Sequence, residues 1–262
     1  MKIFLGFDDT DVLGSEMGTG KLVRLYEKKL PPEARLWGVI RHQLLVDDRI
    51  PYTSHNSPAC AVVQIEDAAL IPRLIDLAVE HLKELCCPGS DPGLCVARED
   101  ADLSKVVEFA LACTRSVVTQ DEAKAVTAKA GIHLSGHGGT CDGIIGATAA
   151  VGLTSFGWSG RLLEFGGLRG LPNPVRVGEL VAHGILPVPL DRDATVLSPE
   201  SLVWTNNWLR PRFWGGNAIL PVQRARGRWI VVGSNRPIGA HVVKGIKSLS
   251  RRAGMLFGSG RK

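Results

Sequence analysis

Three carboxylates stand within four residues directly after an apolar strand, and this stretch constrains the chain most. Lys2-Ile-Phe-Leu-Gly-Phe7 is short, apolar and partly β-branched or aromatic, so it reads as a buried strand. Asp8-Asp9-Thr10-Asp11 follows at its end. A glycine-rich turn, Gly14-Ser-Glu-Met-Gly-Thr-Gly20, comes next, then a predicted helix over 21–26. Clustered carboxylates repel one another unless they are solvated or share a hard cation. Mg²⁺ prefers one or two carboxylates plus waters and substrate phosphates. The stretch therefore predicts a Mg²⁺-nucleotide site with Asp8, Asp9 and Asp11 as metal ligands. The alternative is an acidic turn in which an Asp caps the helix.

A second glycine-rich stretch runs Gly136-His-Gly-Gly-Thr-Cys-Asp-Gly143 and opens onto a segment of small residues, Ile144 to Val151. Glycines let backbone N–H groups approach phosphate oxygens, and a helix N-terminus adds partial positive charge. Gly18 and Gly20 in the first turn, with Gly136, His137, Gly138, Gly139, Thr140 and Gly143 in the second, are thus nucleotide-binding candidates. A tight turn before a buried helix is the plainer reading. Neither turn fits a Walker A loop, because Leu22 follows Gly20-Lys21 where Ser or Thr is required. The D-x-D-x-[TV] pattern of haloacid-dehalogenase-like phosphatases also fails, since Leu13 occupies its last position.

Between these stretches the pattern alternates. Strands are expected at 36–40, 59–65 and 94–97, and amphipathic helices at 70–85, 103–118 and 120–130. The 132–143 stretch reads as a loop. The polar segment Ile50 to Pro58 reads as a surface loop, and Arg41, His42, His55 and Asn56 are the candidates for contacting substrate. Lys21, Arg41 and His42 would supply positive charge beside the Asp cluster. Further on, 161–165 reads as a strand, 175–183 as a short helix and 186–190 as extended. Residues 217–223 and 228–232 read as a basic hairpin, and 241–252 as a final helix.

Charge divides the chain. From Ser201 onward there is no Asp or Glu but 12 Lys and Arg, so the net +5 leaves −7 for the residues before it. Four of the six tryptophans (Trp204, Trp208, Trp214 and Trp229) share that basic part. Cations interleaved with aromatic rings suit a polyanion such as single-stranded RNA; docking on the chain's own acidic half is the alternative. No apolar run reaches membrane-span length. The six cysteines lack a repeated C-x-x-C spacing, so reduced thiols in a cytoplasmic protein are expected.

Three stretches together resemble the archaeal tRNA-isoleucine agmatinylcytidine synthetase family: Gly6-Phe-Asp-Asp-Thr-Asp11 with Met17-Gly-Thr-Gly20, the loop from Arg41 to Asn56, and Gly136 to Ala147 with Ala149-Ala-Val-Gly152. The resemblance covers roughly the first 155 residues. It implies an α+β fold with a kinase-like α/β domain (1–58 and 120–200) split by a ferredoxin-like insertion (59–119), followed by the β-containing basic part (201–262). It implies ATP and Mg²⁺, with phosphorylation of an acceptor before an amine attacks. Asp8, Asp9 and Asp11 would act at the triphosphate, Thr19 matches a threonine the family can phosphorylate, and Asp142 is a further acidic candidate. The family adds an OB fold and a zinc ribbon; this sequence has no zinc-ligand spacing, and its turn reads Gly-Thr-Gly-Lys rather than Cys-Thr-Thr. The expected function is an ATP- and Mg²⁺-dependent phosphotransferase or ligase acting on RNA or a small anionic substrate. The competing readings are a non-catalytic RNA-binding protein that keeps the fold and a metal-dependent phosphohydrolase.

Overall fold

The first strand, β1 (Lys2–Asp8), is an interior strand, third from one edge of a sheet that carries helices on both of its faces there. The computed structural model describes residues 1–53, 55–193 and 195–233; the expected helix over 241–252 lies outside them. In chain order follow α1 (Thr19–Leu25), β2 (Ala34–Arg41), β3 (Ala59–Ile65), α2 (Ile71–Leu85), β4 (Gly93–Arg98), α3 (Ser104–Cys113), α4 (Gln120–Ala130), β5 (His133–Gly136), α5 (Gly143–Phe156) and β6 (Arg161–Phe165). The remainder is β7 (Val175–Arg176), α6 (Val177–Ala182), β8 (Ile185–Pro189), β9 (Leu202–Trp204), β10 (Arg212–Trp214), β11 (Asn217–Ala225) and β12 (Arg228–Val231). The sheet order is β5-β4-β1-β3-β2-β6-β10-β11-β12-β9-β7, with β8 parallel to β11. The fold is mixed α/β. Segment 59–119, expected as an insertion, supplies β3 and β4, which flank β1 on its two sides.

Side-chain alternation along β1 decides the layers. Ile3, Leu5 and Phe7 pack with Leu22, Val23 and Tyr26 of the α1 region and with Leu74, Ala78 and Leu82 of α2. Phe4 packs on the other face with Ala147, Ala150 and Val151 of α5 and Val106 of α3. Helix α5 is apolar all round and buried over most of Gly143 to Thr154, as expected of a helix enclosed by other elements. Its small residues serve close approach to strands. A Cβ at Gly6 would overlap the Ala147 carbonyl oxygen, and one at Gly93 would overlap the Gly143 carbonyl carbon.

Several local expectations needed correction. Helix α3 stops at Cys113 rather than reaching 118. The Thr114 hydroxyl donates to the Leu111 carbonyl at 2.7 Å, and the Arg115 N–H turns to the Ala112 carbonyl at 2.9 Å, three residues back, so the last turn tightens and closes. Residues 133–136 form a strand, because β4 offers them an open edge. The helix expected from 175 starts as a two-residue strand and runs helical only from Val177 to Ala182. Strands β9 and β10, three residues each, carry too little pattern to be recognised alone. Helix α4 matches its sequence signals, with a Thr119–Glu122 capping box and Gly131 left-handed at its end.

Candidate active site

Because alternation puts Asp8 on the same face as Phe4 and Gly6, its carboxylate points at α5. Gly146 faces it there, and a Cβ at Gly146 would overlap the Asp8 carboxylate oxygen. Burial, then the neighbouring charge of Asp9, pushes the Asp8 carboxyl up to about 7. Asp9 takes a left-handed backbone (φ 52°), which Asp tolerates better than most residues, and ends the strand. Burial and then the charge of Asp91 raise Asp9 to about 6, with Asp11 and Asp142 adding to the effect. Asp11 is raised mainly by burial, opposed by a hydrogen bond that the Thr53 hydroxyl donates at 3.2 Å.

These carboxylates border a cleft of about 550 Å³, within the range of small-ligand sites. The cleft gathers Asp8, Asp9, Asp11, Gly18, Thr19, Gly20, Lys21, Arg41, His55, Asn56 and Asp142 of the expected residues. Thr19 is almost fully buried, and its hydroxyl accepts from that of Thr10 at 3.0 Å. Arg41 donates to the Ser57 hydroxyl at 3.0 Å, and the Asn56 side chain donates to the Leu45 carbonyl at 2.7 Å, which shapes the 50–58 loop. The same cleft is also lined by Arg24, Arg169, Trp208 and Arg210, none of which the sequence singled out as site residues. Among the described residues no three His, Cys, Asp or Glu side chains are grouped as ligands for one metal ion, so Asp8, Asp9 and Asp11 do not form a ready three-carboxylate set.

The second glycine-rich stretch behaves differently from its expectation. Gly136, His137, Gly138, Gly139, Thr140 and Gly143 do not line the cleft. Several of its backbone donors are already used within the chain. Thr140 donates its N–H to the Asp91 carboxylate at 2.9 Å and its hydroxyl at 2.8 Å, while Gly143 donates to the Asp91 carbonyl and His137 to that of Pro92. The Asp91 carboxylate thus takes the Thr140 N–H and hydroxyl that the stretch could otherwise offer to an anion. The only hint in the sequence was its place in the Pro88–Gly93 turn. The His137 ring shares a 2.8 Å hydrogen bond with Ser135, which shares another with His133.

His42 also lies away from the cleft. It is buried, with Nε2 3.0 Å from the Thr154 hydroxyl, and burial pushes its pKa down to about 3. An unfolded histidine titrates near 6.5. The unfolded chain therefore binds more protons between about 6.5 and 3, and the stability that depends on neutral His42 is lost as pH falls through that window. His42→Gln should flatten the acid limb of the melting profile; an unchanged slope would contradict burial of a neutral ring.

No protein-family model and no curated protein sequence matches this chain. Solved structures do. A tRNA fluorescent labeling enzyme and TiaS in complex with an isoleucine tRNA and ATP are each 30% identical, with TM-scores of 0.50, over 58% of this chain. The chain spans 36% of the length of each. Apo TiaS, an agmatidine synthetase for that tRNA, is 25% identical at a TM-score of 0.47. Over 58% of its length, therefore, this chain is TiaS-like, as its motifs indicate.

Proposed function

We propose that the chain is an ATP- and Mg²⁺-dependent phosphotransferase or ligase acting on RNA or a small anionic substrate. The observation that carries this reading is the pair of raised carboxyls, Asp8 and Asp9, set in a cleft that Lys21 and Arg41 also line. Two carboxylates crowded out of water are a poor arrangement for a bare protein and a good one for a divalent cation. Mg²⁺ would take one or two of them and complete its shell with water and phosphate oxygens; bound there, it would neutralise charge on the transferring phosphoryl group. Lys21 would act as a point charge on the phosphates, and Thr19, at the cleft wall, is the hydroxyl that the family resemblance marks for phosphorylation. The likeness to TiaS, seen with ATP and tRNA, supports an ATP-dependent and tRNA-related role. Six unpaired cysteines fit a cytoplasmic setting, and no described helix is long and apolar enough to cross a membrane.

Asp9→Asn tests the proposal. Mg²⁺-ATP at a hundred times its dissociation constant adds about 2.7 kcal/mol of stability, which is readily seen as a melting shift. The variant should fold, lose that shift and lose ATP turnover. Retained turnover would sink the assignment. Product analysis separates the phosphohydrolase alternative, in which water accepts the phosphoryl group.

One observation favours the RNA-binding reading for the basic part. Four arginine–tryptophan pairs stack there at 4.7 to 5.0 Å: Arg210 on Trp208, Arg212 on Trp214, Arg224 on Trp229 and Arg228 on Trp204. RNA affinity falling steeply with salt, together with indifference to ATP, would select it.

A further inference from the structure

The groups placed so far in the reaction lie around the acidic end of the cleft. Arg24, Arg169 and Arg210, which line the same cleft, are electrostatically the reverse. Arg24 comes from the last turn of α1, Arg169 from a 3₁₀ turn over Leu168–Gly170, and Arg210 from the segment between β9 and β10. Elements distant in sequence thus converge their guanidinium groups on one cavity. The convergence opposes their own charge. Arg210 is pushed down to about 10, by burial first and then by Arg169 and Arg24; Arg24 is lowered by burial and then by Arg169. Glu164 offsets them, accepting from Arg169 Nε at 3.0 Å, but it supplies one negative charge against three positive. A structural ion-pair network would balance its charges more closely.

Two further features narrow the ligand. Trp208, 40% exposed, lines the same cleft with Arg210 stacked 4.8 Å from its ring centre. Arg24 lies three residues after Lys21, so the two side chains are neighbours on α1, about 5–6 Å apart at Cβ. Gly20 lets α1 press against β6, since a Cβ there would lie 2.6 Å from the end of Leu163, and this brings Arg24 beside Glu164 and Arg169.

We propose that Arg24, Arg169 and Arg210, with the Trp208 ring beside them, form a phosphate clamp for a nucleotide acceptor, separate from the triphosphate at Asp8 and Asp9. This deepens the functional reading above and rests on it. Guanidinium forks match phosphate oxygens in pairs. A phosphate balances the surplus charge, and a nucleobase uses the aromatic surface in a way that tolerates any sequence. A ring-free carboxylate metabolite would leave Trp208 idle. The phosphate could belong to an RNA strand or to a free nucleotide.

The experiment titrates a labelled single-stranded RNA decamer and, separately, UMP against the full chain, the R24Q, R169Q and R210Q variants, and R169K. Arg169 is the safest position, since 40% of its side chain is exposed. Each Gln variant should weaken RNA binding at least fivefold and reduce the slope of log affinity against log salt by about 0.7 per lost phosphate contact. R169K should fall between wild type and R169Q, because it keeps the charge and loses the fork. Competition by UMP would assign the clamp to a single nucleotide, and its failure to compete while RNA binding is weakened would assign it to a strand. Unchanged RNA affinity and slope in all three Gln variants, with no UMP binding, would overturn the clamp. Loss of the Mg²⁺-ATP melting shift in the same variants would overturn it too, since the arginines would then hold the triphosphate. A wild-type protein without any Mg²⁺-ATP shift, but with arginine-dependent RNA binding, would remove the ATP reading and leave the clamp standing.

Discussion

Asp8→Asn is expected to abolish ATP turnover and, at the same time, to raise the melting temperature of the ligand-free protein at pH 8. Burial and the charge of Asp9 hold the Asp8 carboxyl near 7 in the folded chain, whereas an unfolded aspartate titrates near 3.9. The folded state therefore binds more protons between about pH 4 and 7. Stability contributed by protonated Asp8 is complete below that window and lost as pH rises through it. Asp9, near 6, acts in the same direction. Asn keeps the shape and removes the charge, so the variant should gain about 1–3 kcal/mol at pH 8 and nothing below pH 4. Mg²⁺ should stabilise the wild type more than the variant. Melting curves across pH, with and without Mg²⁺, make the comparison. A variant that melts below the wild type at pH 8, or still turns over ATP, would contradict both the burial and the role.

Gly93→Ala should cost more stability than any surface change. The added methyl meets backbone atoms, the Gly143 carbonyl group and the Ile144 nitrogen, which cannot rotate aside. β4 and α5 would have to separate, and α5 is the helix at the centre of the core. Overpacking usually costs about 1–3 kcal/mol, and a backbone collision belongs at or beyond that upper end. In a chain of this size the melting temperature should fall by about 6–12 °C. Gly170→Ala is the control, since nothing lies within 4 Å of its Cβ position, and it should stay within about 0.5 kcal/mol. A Gly93→Ala protein melting with the wild type would mean that α5 does not lie on β4.

Much of the N-terminal architecture was legible because its signals are local. Short apolar, β-branched runs marked β1 and β3, period-3.6 spacing marked α2, and the early acidic residues and the Gly131 stop framed α4. The acidic cluster was legible for the same reason, since three carboxylates adjacent in sequence remain adjacent in space. The contacts of the glycine-rich stretch were not legible, because a loop free to bind phosphate and a loop already bonded to Asp91 have the same composition. The burial of His42 was not legible, because one polar residue after a strand carries no sign of which side it will face.

The sequence by itself determined the strand that carries Asp8, the crowding of Asp8, Asp9 and Asp11, and the separation of an acidic part from a basic one. These follow from local apolar patterning, covalent adjacency and charge count, none of which needs a partner. Only the tertiary structure decided that Gly146 leaves room for Asp8, that Asp91 fills the glycine-rich loop, and that Arg24, Arg169 and Arg210 line one cleft. Each joins residues tens to nearly two hundred positions apart. Their approach is set by the packing of α5 and α1 on the sheet, and no local pattern encodes it.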